Sequence, residues 1–526
     1  MPTVDDRPRS SWSERSSSYL RERNPVSHRV TDLIERLRHR ASPNHWSSLF
    51  GVIAGASLVV LVVTGLVLML FYDPSSALIR YQGSYGPLQG VEVSEAYAST
   101  LRISLDLRGG LLVRQAHHWA ALVLPAALLL QLASLFFTGG FRRPRHWGWV
   151  LLVGVLILSM ASGWSGYALP DDSLSGTGLR IVEGVALGIP LVGTWVTSVL
   201  FGGEYPGRII EHLYLVHLAA PALLVVLVIL RLRLSWKTGP AQFPGPGRSE
   251  ATIVGLPVWP AAAVRVAGLF FSTTGLLVLM GGTLTITPVW SYGPASPGNA
   301  FAGSQPDWYM GFLDGALRLV PPGWEFFWLG RTWTLAILVP LVAVGLFFAL
   351  LTAYPFLESW VTKDRLEHHL LDRPRSTPTR TGIGAAGVTF YAALWAAASA
   401  DVIATQFQVS FEGVIWVLRA VALIGPPLAY LMARRACIAL QATEEERVLH
   451  GAESGRIDRD PDGGYSEEHH PLDLERRQRL IPAVQPPPPS ARGDERGRAD
   501  RRSAAEPAPP ADRAGAQEVD SHRALH

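Results

Sequence analysis

The chain has 526 residues, 48% of them hydrophobic and 17% charged, with a formal net charge of +3. That is too apolar for a soluble protein with long polar ends, so it reads as a polytopic membrane protein. The single cysteine, Cys437, excludes an iron–sulfur cluster, a C-x-x-C-H haem attachment or a disulfide framework within the chain, and the small, uneven charge bears on topology, not on nucleic acid.

Residues 1–26 are rich in Ser, Arg and Asp and lack an early apolar run, which predicts an unstructured arm without a cleavable signal peptide. Val30, Leu33, Ile34 and Leu37 then share one helical face, with Arg36, Arg38 and Arg40 among the polar positions. This predicts a helix lying on the membrane surface or packing on a neighbouring subunit. The first span is Phe50 to Tyr72, with Gly51 and Gly65 on nearly the same face, about 21 Å apart along the axis. Glycines there let a flat macrocycle or another backbone come close.

After an outer loop, the second span, Gly110 to Thr138, carries Arg114, His117 and His118 near one end. Ionisable side chains inside a span are costly and therefore functional candidates, and neutral imidazole is an axial ligand for haem. The third span, Trp147 to Leu169, ends in Gly166 and is followed by Asp171 and Asp172; residues 173–205 have the pattern of amphipathic helices over the outer face. The fourth, Ile210 to Trp236, opens with His212 and His217, so two spans could clamp one porphyrin. The turn-rich QFPGPG segment leads to spans Ala261 to Ile286, Thr332 to Tyr354, Ile383 to Ala404 and Gly413 to Met432. From about Gln441 the chain is polar and proline-rich and is expected to be largely disordered.

Arg142, Arg143 and Arg145, then Arg231, Arg233, Lys237 and Arg248, then Lys363, Arg365, Arg373, Arg375 and Arg380 all fall in loops on one side. The positive-inside rule makes that side cytoplasmic, with both termini there and about eight spans between. His117 and His217 then lie near the outer face. The expected divisions are a cytoplasmic arm over 1–41, a four-helix haem-binding domain over 42–240, a second four-span membrane domain over 241–440 and a tail over 441–526.

The segments VRQAHHWAAL, FFTGGFRRPR, LPDDSLSGTG, QFPGPG and SQPDWYM, with the span order, resemble the actinobacterial cytochrome b of quinol:cytochrome c reductase. The resemblance covers roughly Ser42 to Glu446. It implies an all-α plasma-membrane fold of the cytochrome b type, its four-helix bundle holding haem. It also implies His117 and His217 as ligands of an outer, low-potential haem b, Arg114 at a propionate, and Gly65 and Gly166 beside the haem. Pro306, Asp307, Trp308 and Tyr309 match the family's P-E-W-Y quinol-site motif, with aspartate for glutamate; Asp307 and Tyr309 are the expected catalytic pair, and menaquinol the expected substrate. A turn with an interfacial Trp and Tyr belt would explain Trp308 and Tyr309 without any quinone. The implied partners are a Rieske iron–sulfur subunit, a cytochrome c subunit, a second copy of the complex, a terminal oxidase supercomplex and membrane lipid, with no nucleic acid.

The family's inner haem does not fit. Its two ligand positions fall on Gln131 and on Arg231 or Leu232, its arginine on Ser134 and one of its glycines on Leu152; only Gly51 is kept. An amide is a poor ligand, and a protonated guanidinium has no lone pair. His45 and His146 lie at inner helix ends, off the ligand helices. A subunit with one outer haem is therefore expected. The alternatives are a non-catalytic or assembly paralogue and, more weakly, an unrelated single-haem reductase, for which no nicotinamide or flavin motif is present.

Overall fold

The computed structural model describes residues 25–480, apart from Asn44, 204–206, Pro297 and Ala302. The unstructured arm expected before Pro25 and the end of the polar tail after Leu480 lie outside the described residues. Eight described helices are long and apolar enough to cross a membrane. In order they are Leu49–Met69, Gly110–Thr138, His146–Ala168, Ile209–Thr238, Ala263–Thr283, Leu335–Thr362, Pro378–Ala398 and Phe411–His450. Helices satisfy their own backbone polar groups, which is why a chain solvated by lipid takes this form.

Spans one to four make a bundle in which the first packs on the second and the third on the fourth. Its core is built from one stripe of the second span, Leu124, Leu128, Leu132 and Phe136, against Trp149, Leu152, Val153, Leu156 and Met160 of the third and Leu224 of the fourth. The repeat of four places these leucines on one face. The buried indole of Trp149 donates to Leu351 O of the sixth span at 2.8 Å, tying the second half of the chain to the bundle. The fifth span lies along the first and second, and the eighth along the seventh. Only 6% of the most apolar window of the eighth span is buried, so its apolar side chains face outward, as lipid contact requires.

The second span stops at Gly139, whose φ of 65° is the left-handed conformation that favours glycine. Gly140 N–H donates back to Leu135 O at 2.8 Å and Gly139 N–H to Phe136 O at 3.2 Å. At the opposite end of the bundle, helices Ser173–Leu187 and Gly193–Phe201 form the expected amphipathic cover. Asp172 caps the first of them, its Oδ1 accepting from Ser175 N–H at 2.7 Å.

Several limits differ from expectation. The predicted helix near the N-terminus runs Pro25–Arg38, and the next residues are held by the strand pair Ala41–Ser42 with Leu256–Pro257. The sixth and eighth helices outrun their apolar stretches, because a helix continues past the bilayer wherever its polar residues are paired. The eighth reaches His450, with Glu444 paired to Arg375 and Gln441 donating to Arg375 O at 2.7 Å. The hairpin Ala452–Arg459 with Tyr465–His470 follows. The chain between Gln441 and Leu480 thus carries regular structure, contrary to the expected disorder there. A second hairpin, Glu325–Trp328 with Arg331–Thr334, precedes the sixth span.

Candidate functional site

Two imidazoles face each other in one half of the bundle. His117 on the second span and His217 on the fourth have ring centroids 6.3 Å apart and planes at 64°. The Nδ1 of each ring is already engaged. Thr64 donates its hydroxyl proton to Val60 O at 2.6 Å, so its oxygen accepts from His117 Nδ1 at 2.9 Å. Ser162 O, which can only accept, takes the Nδ1 proton of His217 at 2.9 Å. Both rings therefore keep a free Nε2 lone pair, the tautomer and orientation of a metal-ligating histidine with an outer-shell partner.

Metal–nitrogen distances of about 2.0–2.1 Å, with about 1.1 Å more to each ring centre, put two trans imidazole centroids about 6.3 Å apart. The observed separation matches. Among the described residues no three His, Cys, Asp or Glu side chains converge as a bare metal ion would need. A pair of imidazoles at this separation suits an iron whose other ligands would come from a porphyrin.

The rings line a cavity of about 620 Å³ together with Gly65, Gly166, Arg114, His118 and Asp307. Arg114 donates weakly to Thr287 O at 3.4 Å, while its buried Nε has no partner. An unpaired guanidinium nitrogen on the wall of a largely apolar cavity fits a carboxylate of a bound group, as a haem propionate would supply. The two glycines make room for the imidazole rings themselves. A Cβ on Gly65 would stand 3.2 Å from His117 Cε1, and one on Gly166 only 2.6 Å from His217 Cε1.

The other end of the same bundle is filled. Leu152 is 1% exposed and packs within the leucine core. Gln131 leans on Gly51, where a Cβ would come within 2.9 Å of its Nε2. Leu232 is 60% exposed and turned away from the bundle. Arg231 keeps a buried Nε without a partner. His45 packs against Phe243 with centroids 4.3 Å apart and planes tilted by 42°, and its Nδ1 meets Ser47 Oγ at 2.9 Å, while His146 packs edge-on against Phe356. His212 approaches Val199 O at 3.4 Å, away from the paired rings.

Pro306 precedes the short turn Trp308–Met310, and this segment brings Asp307 to the cavity wall. Tyr309 is fully buried and its hydroxyl donates to Asp307 Oδ2 at 2.9 Å. Burial, reinforced by the charge of Asp307, holds that phenol well above its ordinary pKa, so it remains a donor at neutral pH. Gly163 makes room for it: a Cβ there would stand 2.4 Å from the Tyr309 hydroxyl. Trp308 Nε1 donates to Leu122 O at 3.3 Å and its own carbonyl accepts from Trp395 Nε1 at 3.0 Å, which fixes the turn between the second and seventh spans.

His118 was not expected at this motif. Its Nε2 lies 3.3 and 3.2 Å from the two oxygens of Asp307. One residue beyond His117, it points about 100° around the helix, which in this bundle is toward the Asp307 turn. The partner of His118 thus comes from a segment 189 residues away.

A family model described as cytochrome b (N-terminal)/b6/petB matches residues 122–294. The chain is 47% identical over 442 residues to the cytochrome bc1 complex cytochrome b subunit of Mycobacterium tuberculosis, covering 84% of this chain and 80% of that one. The subunit of the same name from Streptomyces coelicolor is 44% identical over 435 residues, covering 82% and 80%. That of Corynebacterium efficiens is 42% identical over 441 residues, covering 84% and 81%. Among solved structures, a chain from a hyperthermophilic respiratory Complex III aligns with a TM-score of 0.59 at 18% identity, over 79% of this chain and 99% of that one, a likeness of fold.

Proposed function

Because this chain belongs to the cytochrome b subunits of cytochrome bc1 complexes, we propose that it oxidises quinol at the outer face of the plasma membrane through a single b haem. The observation that carries this is the opposed pair His117 and His217, each with Nδ1 committed to a partner and Nε2 free. A haem bound there supplies one-electron redox chemistry. His117 and His217 would hold it, and Arg114 would pair with a propionate.

Quinol, menaquinol by the actinobacterial likeness, enters the same cavity beside Pro306, Asp307, Trp308 and Tyr309. Asp307 takes a quinol proton, a role for which a carboxylate needs to be held in hydrogen-bond reach and shielded from bulk water. Tyr309 and His118 hold it from two sides. The apolar lining of Leu58, Leu61, Leu124 and Leu224 limits water around it.

The filled inner half supports loss of the inner haem, which removes the relay for a second electron across the membrane. A complete proton-translocating cycle is then not expected of this chain. Residues 42–240 serve as the haem-binding half and 241–440 as the half bringing the quinol motif; electrons pass to a Rieske iron–sulfur subunit and a cytochrome c subunit in a dimeric complex beside a terminal oxidase. The packing of Gln131 and Leu152 also favours a second reading, an assembly paralogue of cytochrome b that has lost catalysis.

The deciding measurement is b haem per polypeptide on the purified protein by pyridine haemochrome, with His117→Ala and His217→Ala alongside. One haem, absent from both variants, is the expected result. Two would overturn the loss of the inner site, and none would leave the assembly role.

A further inference from the structure

At the end of the bundle where the arginine-rich loops lie, a second cavity of about 720 Å³ opens between the start of the third span and the end of the sixth. It shares no lining residue with the haem cavity. The acidic groups in and beside it are spoken for. Glu358 and Asp372 bind Arg380, Arg142 pairs with Asp372 at 3.0 Å, and Asp364 pairs with His368 at 2.8 Å.

Three of its cations are not. Arg143, Lys363 and Arg365 line the cavity, are exposed, and have no carboxylate partner among the described residues. His146 lines it too, with a buried Nδ1 that has no hydrogen-bond partner. This histidine is the first residue of the third span, a helix of 23 residues, so the positive end of that helix lies beside the cavity. Phe356 and Trp360, 40% and 77% exposed, stand at the rim. Aromatic side chains at that depth sit at the level of lipid headgroups.

We infer that this cavity binds a phosphate-ester anion, either the headgroup of an anionic phospholipid of the adjoining leaflet or a soluble phosphate compound using the same contacts. Three unpaired cations around a helix N-terminus form a site for phosphate oxygens. Basic pockets between membrane helices on the cytoplasmic side take lipid headgroups for this reason. The site is independent of haem and quinol.

The test is native mass spectrometry of the purified protein titrated with phosphatidylglycerol, with zwitterionic phosphatidylethanolamine and with inorganic phosphate. The parent is compared with R143Q/K363Q/R365Q and with a control of equal charge loss elsewhere, R331Q/R459Q/R477Q. The expected result is binding of phosphatidylglycerol to the parent and control, and at least about tenfold weaker binding to the pocket variant. Competition by millimolar inorganic phosphate, itself lost in the pocket variant, would uphold the anion site with a soluble source; no competition would assign it to lipid. Equal binding to parent and pocket variant, equal loss in the control, or no preference over phosphatidylethanolamine would overturn the proposal. All three substituted side chains are exposed, and unchanged haem content reports that the variant is folded.

Discussion

Gly166 shows how narrow the tolerances are at the level of single atoms. A methyl group there would stand 2.6 Å from His217 Cε1, closer than carbon atoms approach, so Gly166→Ala must displace the ring from its contact with Ser162. Haem content per polypeptide is expected to fall severalfold, with a shifted Soret band in what remains; full occupancy with an unchanged spectrum would refute the ligand assignment. Thr64→Val leaves His117 Nδ1 without its acceptor, and loss of such an outer-shell partner lowers metal affinity about 10- to 100-fold. Its haem should wash out at detergent dilutions that the parent survives. Asp307→Asn tests the other wall of the cavity: quinol oxidation by membranes carrying the complex should drop about 100-fold or more, with haem content unchanged. The proposed ligands and Asp307 were legible in the sequence because they sit in recognisable local patterns. Thr64, Ser162 and His118 were not, since each acquires its role from a partner 53, 55 or 189 residues distant.

Helices and loops carry a different set of constraints. The FFTGGFRRPR segment ends the second span at Gly139, where a side chain would strike Arg380, Arg142 and Asp372, so the glycine pair serves the turn and the ion network together. Arg380 is only 6% exposed and joins Glu358 of its neighbouring helix to Asp372 of the loop. Breaking a buried pair strands the remaining charges at a cost of about 3–5 kcal/mol, and the partial exposure of Glu358 and Asp372, 16% and 24%, places this case near the lower figure. Arg380→Gln should therefore lower the thermal unfolding midpoint of the solubilised protein, while Arg459→Gln on the distal hairpin should leave it in place. Hydropathy located all eight spans yet misjudged their ends. The extension of the eighth helix to His450 rests on Glu444 and Gln441 meeting Arg375, contacts that a hydropathy window does not register.

For the whole molecule, the basic residues of three loops and the eight spans predict that both ends lie on one side of the membrane. Reporter fusions before Pro25 and after Leu480 should both report the cytoplasm, and a fusion in the hairpin Glu325–Trp328 with Arg331–Thr334 the outer face; opposite signals from the two ends would refute the eight-span topology. Membrane residence and the number of spans were determined by the sequence itself, because lipid imposes long apolar helices; the proposed ligand pair is also read there, because iron ligation calls for histidine at a set depth. Which end of the bundle stays open and which is filled was decided only in three dimensions. A leucine at position 152 is an ordinary membrane residue until the third span turns it into the core, and a histidine at 118 is a spare imidazole until the Asp307 turn closes over it. Side chains from distant segments converge through packing, and close packing is a property of the assembled helices that no one stretch of chain contains.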